Sequence, residues 1–344
     1  MRRWAWTVRV ALLAVSALLI GCDGQPSEKP LAVSMNVAVD RRPWRTPHAM
    51  GYSATSEHYR VFCTARRAAL KAHLPGFMEA AYANYLRLTG LPDDPSFEPM
   101  PLYLLGTREE WAALTEKVLG SGSGALGIRA GGYCHNGTCV LWDMGGTGTM
   151  AVASHEGLHQ FFHHRLRDRL PMWLEEGLCV QAEGHAIRGD GVVFTPLDNP
   201  KRFSVLRRAI VNGRTIPLAE LLNMHSMDAI DRQREEVGQE ASIYYGQLWA
   251  LTAFLRDSPT YRPRMERMLA DAAGGRFYET LRSSPDSAFV NVPESAMEEL
   301  RRRPRIYNRT VSTDLFKAYI NPDMEAFERE YMAYARKLVK LPPA

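Results

Sequence analysis

The stretch from Met150 to Cys179 reads MAVASHEGLHQFFHHRLRDRLPMWLEEGLC, and the organisation of the whole chain depends on how it is parsed. Met150 to Phe162 is an unbroken run of helix-compatible side chains, which places His155 and His159 one turn apart on the same face. Both imidazoles of His155-Glu-Gly-Leu-His159 can then reach one ion. Two histidines are half of a zinc site, because a catalytic Zn2+ takes three protein ligands and keeps one position for water. Glu176, early in a second helix beyond a short turn containing Pro171, is the candidate third ligand. Glu156 neighbours a ligand but is rotated about 100° from it around the helix. It can therefore act as general base on an activated water without joining the coordination sphere.

Plainer readings stand beside this one. The five-residue pattern recurs in chains that hold no metal, and paired histidines on a helix often serve only as surface or core residues. His159 and His163 also lie one turn apart, although only His155 and His159 enclose a glutamate. Four of the chain's ten histidines fall between His155 and His164. Gly157 costs a helix interior about 1 kcal/mol against alanine, which points to crowding against its face.

The first 21 residues read as a targeting segment. Arg2, Arg3 and Arg9 form its positive end, and Val10 to Ile20 is an apolar run too short to span a bilayer as a stable helix. The segment closes at Leu19-Ile-Gly-Cys22, which resembles the lipobox of bacterial lipoproteins. That resemblance implies a lipid on Cys22, attachment to the cell envelope facing the periplasm and, from Asp23, retention at the inner membrane; an ordinary cleaved signal peptide is the alternative. Net charge is +4 over the full sequence, and loss of the three arginines leaves +1. A nearly neutral chain gives no support to nucleic-acid binding.

Residues 22–56, rich in Pro, Ser and Gly with weak periodicity, read as a tether with one short strand near Leu31 to Val39. The folded domain is then 57–344, with a helical and sheet part over 57–150, the metal-site helices over 150–185 and a helical part over 215–344. Apolar residues recur with helical spacing from Val61 to Leu86, broken at Pro75. Met100 to Leu105 is a strand candidate, and Thr107 opens the next helix with Glu110 in a capping box. Gly131 to Cys134 and Cys139 to Asp143 flank Asn136-Gly137, the strongest short hairpin signal, and Thr149 is the expected N-cap of the metal helix. A small hairpin is expected near Val192 to Phe194, and helices at Pro217 and over Ser242 to Leu255.

Five cysteines suit an oxidising compartment. With Cys22 assigned to the lipid, the hairpin register sets Cys134 opposite Cys139 and predicts a cross-strand disulfide. Cys63 and Cys179 remain, either paired with each other or buried separately as small apolar residues.

Together, His155-Glu-x-x-His159-Gln160 and Pro171-x-Trp-Leu-x-Glu-Gly-Leu178 resemble the paired helices of the gluzincin metallopeptidases. They resemble more closely the bacterial peptidase-MA-like families, which include domains of unknown function. Tyr245-Gly-Gln-Leu-Trp249 is similar to a later helix of those families. The resemblance covers most of Glu57 to Lys340. It implies an α+β fold with a gluzincin, thermolysin-like core, in which a small mixed sheet lies beside the HExxH helix and a mainly helical part comes after it. It selects Glu176 over Glu175 as third ligand beside His155 and His159, takes Zn2+ as cofactor and Glu156 as base, and offers Tyr245 as oxyanion donor, with Tyr244 its competing neighbour.

The implied reaction is hydrolysis of a peptide or protein substrate, held along a strand pair at Gly132-Tyr133 and Val140-Leu141 by main-chain hydrogen bonds. Gly157 and Cys179 depart from the bulkier and smaller residues usual there. One alternative is a non-catalytic envelope lipoprotein that keeps the fold as a peptide- or partner-binding module. Another is hydrolysis of a non-peptide amide.

Overall fold

Alternating apolar residues build the first half of the chain into strands. The computed structural model describes residues 30–343 apart from 95, 97, 129–130, 236–239 and 285–286. Strand β1 (Leu31–Ser34) is followed by β2 (Asp40–Arg45), β3 (Met50–Thr55) and β4 (Tyr59–Cys63). Then come helix α1 (Ala68–Thr89), strand β5 (Met100–Leu105), helix α2 (Arg108–Leu119) and the hairpin of β6 (Gly132–His135) and β7 (Thr138–Trp142). Strands β2 to β7 form one mixed sheet in the order β2-β3-β4-β5-β7-β6, with β4, β5 and β7 parallel and the other pairings antiparallel. Every second residue faces the core: Tyr59, Val61 and Cys63 on β4, and Met100, Leu102 and Leu104 on β5. Helix α1 packs on that face, while Trp111 of α2 joins Leu105, Val140 and Trp142 on the other. Asn136 and Gly137, with φ of 47° and 71°, make the tight turn their sequence predicts.

Helices α3 (Gly146–Arg165) and α4 (Met172–Ala182) come next, then strands β8 (His185–Arg188) and β9 (Gly191–Phe194), which join β1 in a separate three-stranded sheet. The remainder is helical: α5 (Pro200–Val211), α6 (Leu218–Asn223), α7 (Ser226–Glu235), α8 (Glu240–Asp257), α9 (Arg262–Gly274), α10 (Phe277–Ser283), α11 (Glu294–Arg301), α12 (Pro304–Tyr319) and α13 (Met324–Leu338). Helix α8 is the axis of this half, packed against α4, α5, α7 and α13. Gln181 Nε2 of α4 donates to the Trp249 carbonyl at 2.7 Å, and Thr252 Oγ1 of α8 donates to the Gly177 carbonyl at 3.1 Å. The chain is thus α+β, a mixed sheet with α3 against β6 and β7, followed by a mainly helical part.

Several expectations are corrected. Residues 40–55 are not a tether but the hairpin of β2 and β3. Arg41, Arg42, Pro43 and Arg45 give β2 the charges and proline of an edge strand and so hide its alternation. Residues 59–63 form β4 rather than the start of a helix, because Tyr-Arg-Val-Phe-Cys alternates and is rich in strand-favouring side chains. Helix α1 also runs through Pro75. Proline has no N–H for the Lys71 carbonyl one turn back, and the Tyr52 hydroxyl of β3 donates to that carbonyl instead, at 2.6 Å. Thr149 lies inside α3 rather than capping it; its Oγ1 accepts from Met144 N at 3.0 Å. Thr107 caps α2 as expected, accepting from Glu110 N at 3.2 Å, but the Glu110 carboxylate accepts from Thr64 Oγ1 at 2.6 Å instead of closing the box.

Cys134 faces Cys139 in register, yet both are free thiols, as are Cys63 and Cys179. The expected disulfide is therefore absent. Cys139 Sγ points to α3, donating to the Glu156 carbonyl at 3.1 Å. The expected membrane anchor finds no support either: no described helix is long and apolar enough to cross a membrane, and Cys22 and Asp23 lie outside the described residues.

Replacing Tyr52 with phenylalanine leaves the Lys71 carbonyl short of its best donor. The expected loss is about 1–2 kcal/mol, seen as a lower urea midpoint at unchanged slope.

Candidate metal centre

Helix α3 brings His155 and His159 onto one face, with ring centroids 5.2 Å apart, and α4 sets Glu176 opposite them. Glu176 Oε2 lies 3.3 Å from His155 Nε2 and 3.5 Å from His159 Nε2. It is buried and makes no hydrogen bond. The far nitrogens are occupied: His155 Nδ1 meets Glu183 Oε1 at 3.2 Å, and His159 Nδ1 meets Glu175 Oε1 at 2.8 Å. In the neutral imidazole, a carboxylate at Nδ1 holds the single proton there and leaves the lone pair on Nε2, the form in which histidine can ligate a metal. Glu183 is itself held by Arg202 Nη2 at 2.7 Å and Asn199 Nδ2 at 2.9 Å.

The pocket is electrostatically built to hold positive charge. Burial alone would lower the His155 pKa, but the Glu176 and Glu183 carboxylates beside it outweigh this and push it up to about 9. His159 is raised likewise against its burial, with Cys179, Glu175 and Glu176 beside it. Burial would raise Glu176 and Glu183. The facing imidazoles instead hold Glu176 well below the usual carboxylate range, and Arg202 with His155 brings Glu183 to about 2. Glu156 goes the other way: burial raises it, only partly opposed by the two histidines.

His155, Glu156, His159, Glu175 and Glu176 line a cleft of about 1000 Å³, whereas Glu183, Arg202, Asn199 and Cys179 do not. Glu156 presents a carboxylate to it that has no hydrogen-bond partner among the described residues. Tyr245 also lines it, its ring 6.3 Å from that of His155 and under the Arg202 guanidinium at 5.1 Å. Tyr244 belongs to the core; it is fully buried and its hydroxyl donates to the Met224 carbonyl at 3.4 Å. No residue of 183–201 lines the cleft, so the segment after α4 does not cover it.

Three contributors were not legible in the sequence. Glu183 braces His155 from beyond the end of α4. His225 lines the cleft from a polar turn with no motif around it. Its Nδ1 accepts from Met227 N at 3.2 Å, which leaves the proton on Nε2. Cys179, one turn beyond Glu175, completes a group with His155 and His159 whose donor atoms all lie within 4.8 Å of one another. It is wholly buried, and burial pushes its thiol up to about 12.

No family model, no curated protein and no solved structure matches this chain. The gluzincin and peptidase-MA-like assignment is corrected accordingly. It rested on short motifs in one pair of helices, and the close group there includes Cys179 beside His155 and His159, a ligand type that the two-histidine, one-glutamate set of those families lacks. A thermolysin-like core falls with it. The α+β arrangement and a potential metal-binding cluster are what the chain possesses.

The crowding inferred at Gly157 is real. A Cβ there would come within 2.5 Å of Tyr85 Oη and 2.7 Å of Met78 Cε, and Tyr85 Oη donates to the Ser154 carbonyl at 2.8 Å. Gly157→Ala is expected to cost ~1–3 kcal/mol in overpacking, more than alanine's helix propensity returns, and to lower the melting temperature.

Proposed function

We propose that the chain binds zinc between α3 and α4 and uses it to hydrolyse peptide bonds. The observation that carries the reading is the Glu176 Oε2 atom, buried, without a hydrogen bond, and facing two imidazole nitrogens whose partner nitrogens are already occupied. An orphaned anionic oxygen facing two imidazole Nε2 atoms is a donor set that a cation would complete. His155, His159 and Glu176 would hold the ion. When bound, zinc polarises a substrate carbonyl and acidifies a water at neutral pH.

The chain's own residues do the rest. Glu156, free of protein partners in the cleft and made more basic by burial, takes the proton of the attacking water and returns it to the leaving amine. His225 keeps an Nε2–H as a donor for the negative oxygen that develops on the carbonyl, and Tyr245 offers its hydroxyl for the same task. Glu175 and Glu183 keep both imidazoles in the tautomer the site needs.

One observation favours a second reading. If Cys179 joined His155, His159 and Glu176, four protein ligands would close the site and leave no place for water, as in structural zinc centres. The chain would then be a metal-stabilised binding module. Cobalt substitution separates the two, because thiolate ligation adds a strong near-ultraviolet absorption. The hydrolase reading expects no such band and expects Cys179→Ala to retain metal.

The central test measures metal content and hydrolysis of a peptide mixture on the same protein. Wild type should hold about one zinc. Glu156→Gln should keep it while losing about 10²–10⁴-fold in rate, and Glu176→Ala should bind it weakly. Folded wild type that holds no zinc and cannot be reloaded would sink the proposal.

A further inference from the structure

The same cleft carries a charge pattern that the hydrolytic residues do not use. Its lining includes Arg167 and Arg169, from the connection between α3 and α4, and Arg301, Arg302 and Arg305, from the end of α11 and the start of α12. Asp168 ties these distant segments together. It is buried, accepts from the Arg301 guanidinium, and accepts from Phe277 N at 2.8 Å. Tyr307 Oη of α12 secures the same connection by donating to the Arg169 carbonyl at 2.8 Å.

A balance of charges along the cleft leaves a surplus of cations. Glu175 and Glu176 are engaged by the histidines and Asp168 by Arg301, so Glu156 alone among the lining carboxylates has no partner. Arg305 is paired with Asp231 at 3.0 Å. Arg167, Arg169 and Arg302 are exposed, and their side chains have no hydrogen bond or ion pair among the described residues. None of the lining cations is a lysine. Guanidinium presents a planar fork that matches a carboxylate with two parallel hydrogen bonds, which an ammonium cannot do. A cleft also concentrates the field of such groups.

We infer that Arg167, Arg169 and Arg302 form a subsite for carboxylate groups, so that the cleft takes carboxylate-bearing peptides. A polypeptide suits the other side of the cleft as well. Strand β6 is the edge of the six-stranded sheet, and its residues Gly132 to His135 line the same space, offering unpaired main-chain groups to an extended chain. The carboxylates come from acidic side chains or from a free C-terminus. Such peptides are the substrate class of the hydrolase proposed above; their binding stands without that reading, and only their cleavage rests on it.

Binding is tested by fluorescence anisotropy on the full chain carrying Glu156→Gln, so that no turnover is required. The probes are fluorescein-labelled octapeptides with glutamate, glutamine or lysine at alternate positions and an amidated end, together with the glutamine peptide bearing a free C-terminus. The glutamate peptide should bind about tenfold tighter than its glutamine counterpart, or about 1.4 kcal/mol, with the gap narrowing as salt rises. The lysine peptide should bind weakest. The combined Arg167→Ala, Arg169→Ala, Arg302→Ala variant should erase the preference with little change in melting temperature, since these exposed side chains make no hydrogen bond or ion pair among the described residues.

Preference for the free C-terminus over the amidated glutamine peptide, lost in the same variant, would assign the subsite to chain ends. Equal binding of the glutamate and both glutamine peptides, or a preference that survives the triple variant, would overturn the inference. An intact preference in a wild type that cleaves none of the probes would refute the hydrolase reading and leave the subsite standing.

Discussion

A carboxylate buried between two imidazoles governs this structure. Taking Glu176 out of water is costly unless positive charge or a cation meets it, and the chain meets that requirement from both sides of the α3–α4 contact. The histidines can do so only while their rings are fixed, so Glu175 and Glu183 must be ordered too. Glu183 in turn needs Arg202 of α5, whose guanidinium lies over Tyr245 of α8. The requirement of one buried oxygen thus propagates into the helical half. Helix α4 is itself apolar nearly all round and is clamped between α3 and α8, which keeps Glu176 out of water.

How much of this could be read beforehand depended on where each signal is stored. The α3 pair was legible because two side chains that share one face of a helix must repeat at one helical turn, and that spacing is written contiguously in His155 and His159. The β6–β7 hairpin was legible from Asn136-Gly137 because the turn demands positive φ. Strands β2 to β4 were not. An edge strand protects itself with charges and proline, which look the same as a solvated linker until a partner strand is present. The site's support was hidden for a related reason. Glu183 and His225 act through contacts made after folding, and no period connects them to the motif. Cys179 was visible in the string, but whether it faced a partner cysteine or the histidines depended on the rotation of α4. The pairing of Cys134 with Cys139 was right in register and wrong in chemistry, because register fixes proximity and not oxidation. Family kinship was the least secure step, since two short motifs specify a local arrangement and not a lineage.

The cleft lies where the two halves of the fold meet, and each brings a different kind of contact. The sheet contributes main-chain groups along β6, which are indifferent to side-chain identity. The α3–α4 connection and the helical half contribute arginines. The end of α11 and α12 also hold the α3–α4 connection in place, Arg301 through Asp168 and Tyr307 through the Arg169 carbonyl.

The hydrogen bond that Pro75 cannot make within α1 matters beyond its own helix. Because the Lys71 carbonyl is satisfied from β3 and not from within α1, the first turns of that helix and the β2–β3 hairpin share one opening event rather than fraying independently. The same helix supports α3 from beneath through Tyr85 and Met78 at Gly157, between the two histidines. An arginine-rich surface ribbon is in this way part of the foundation on which α3 and its two histidines rest. Loosening it would be felt as mobility of the donors long before the fold as a whole gave way.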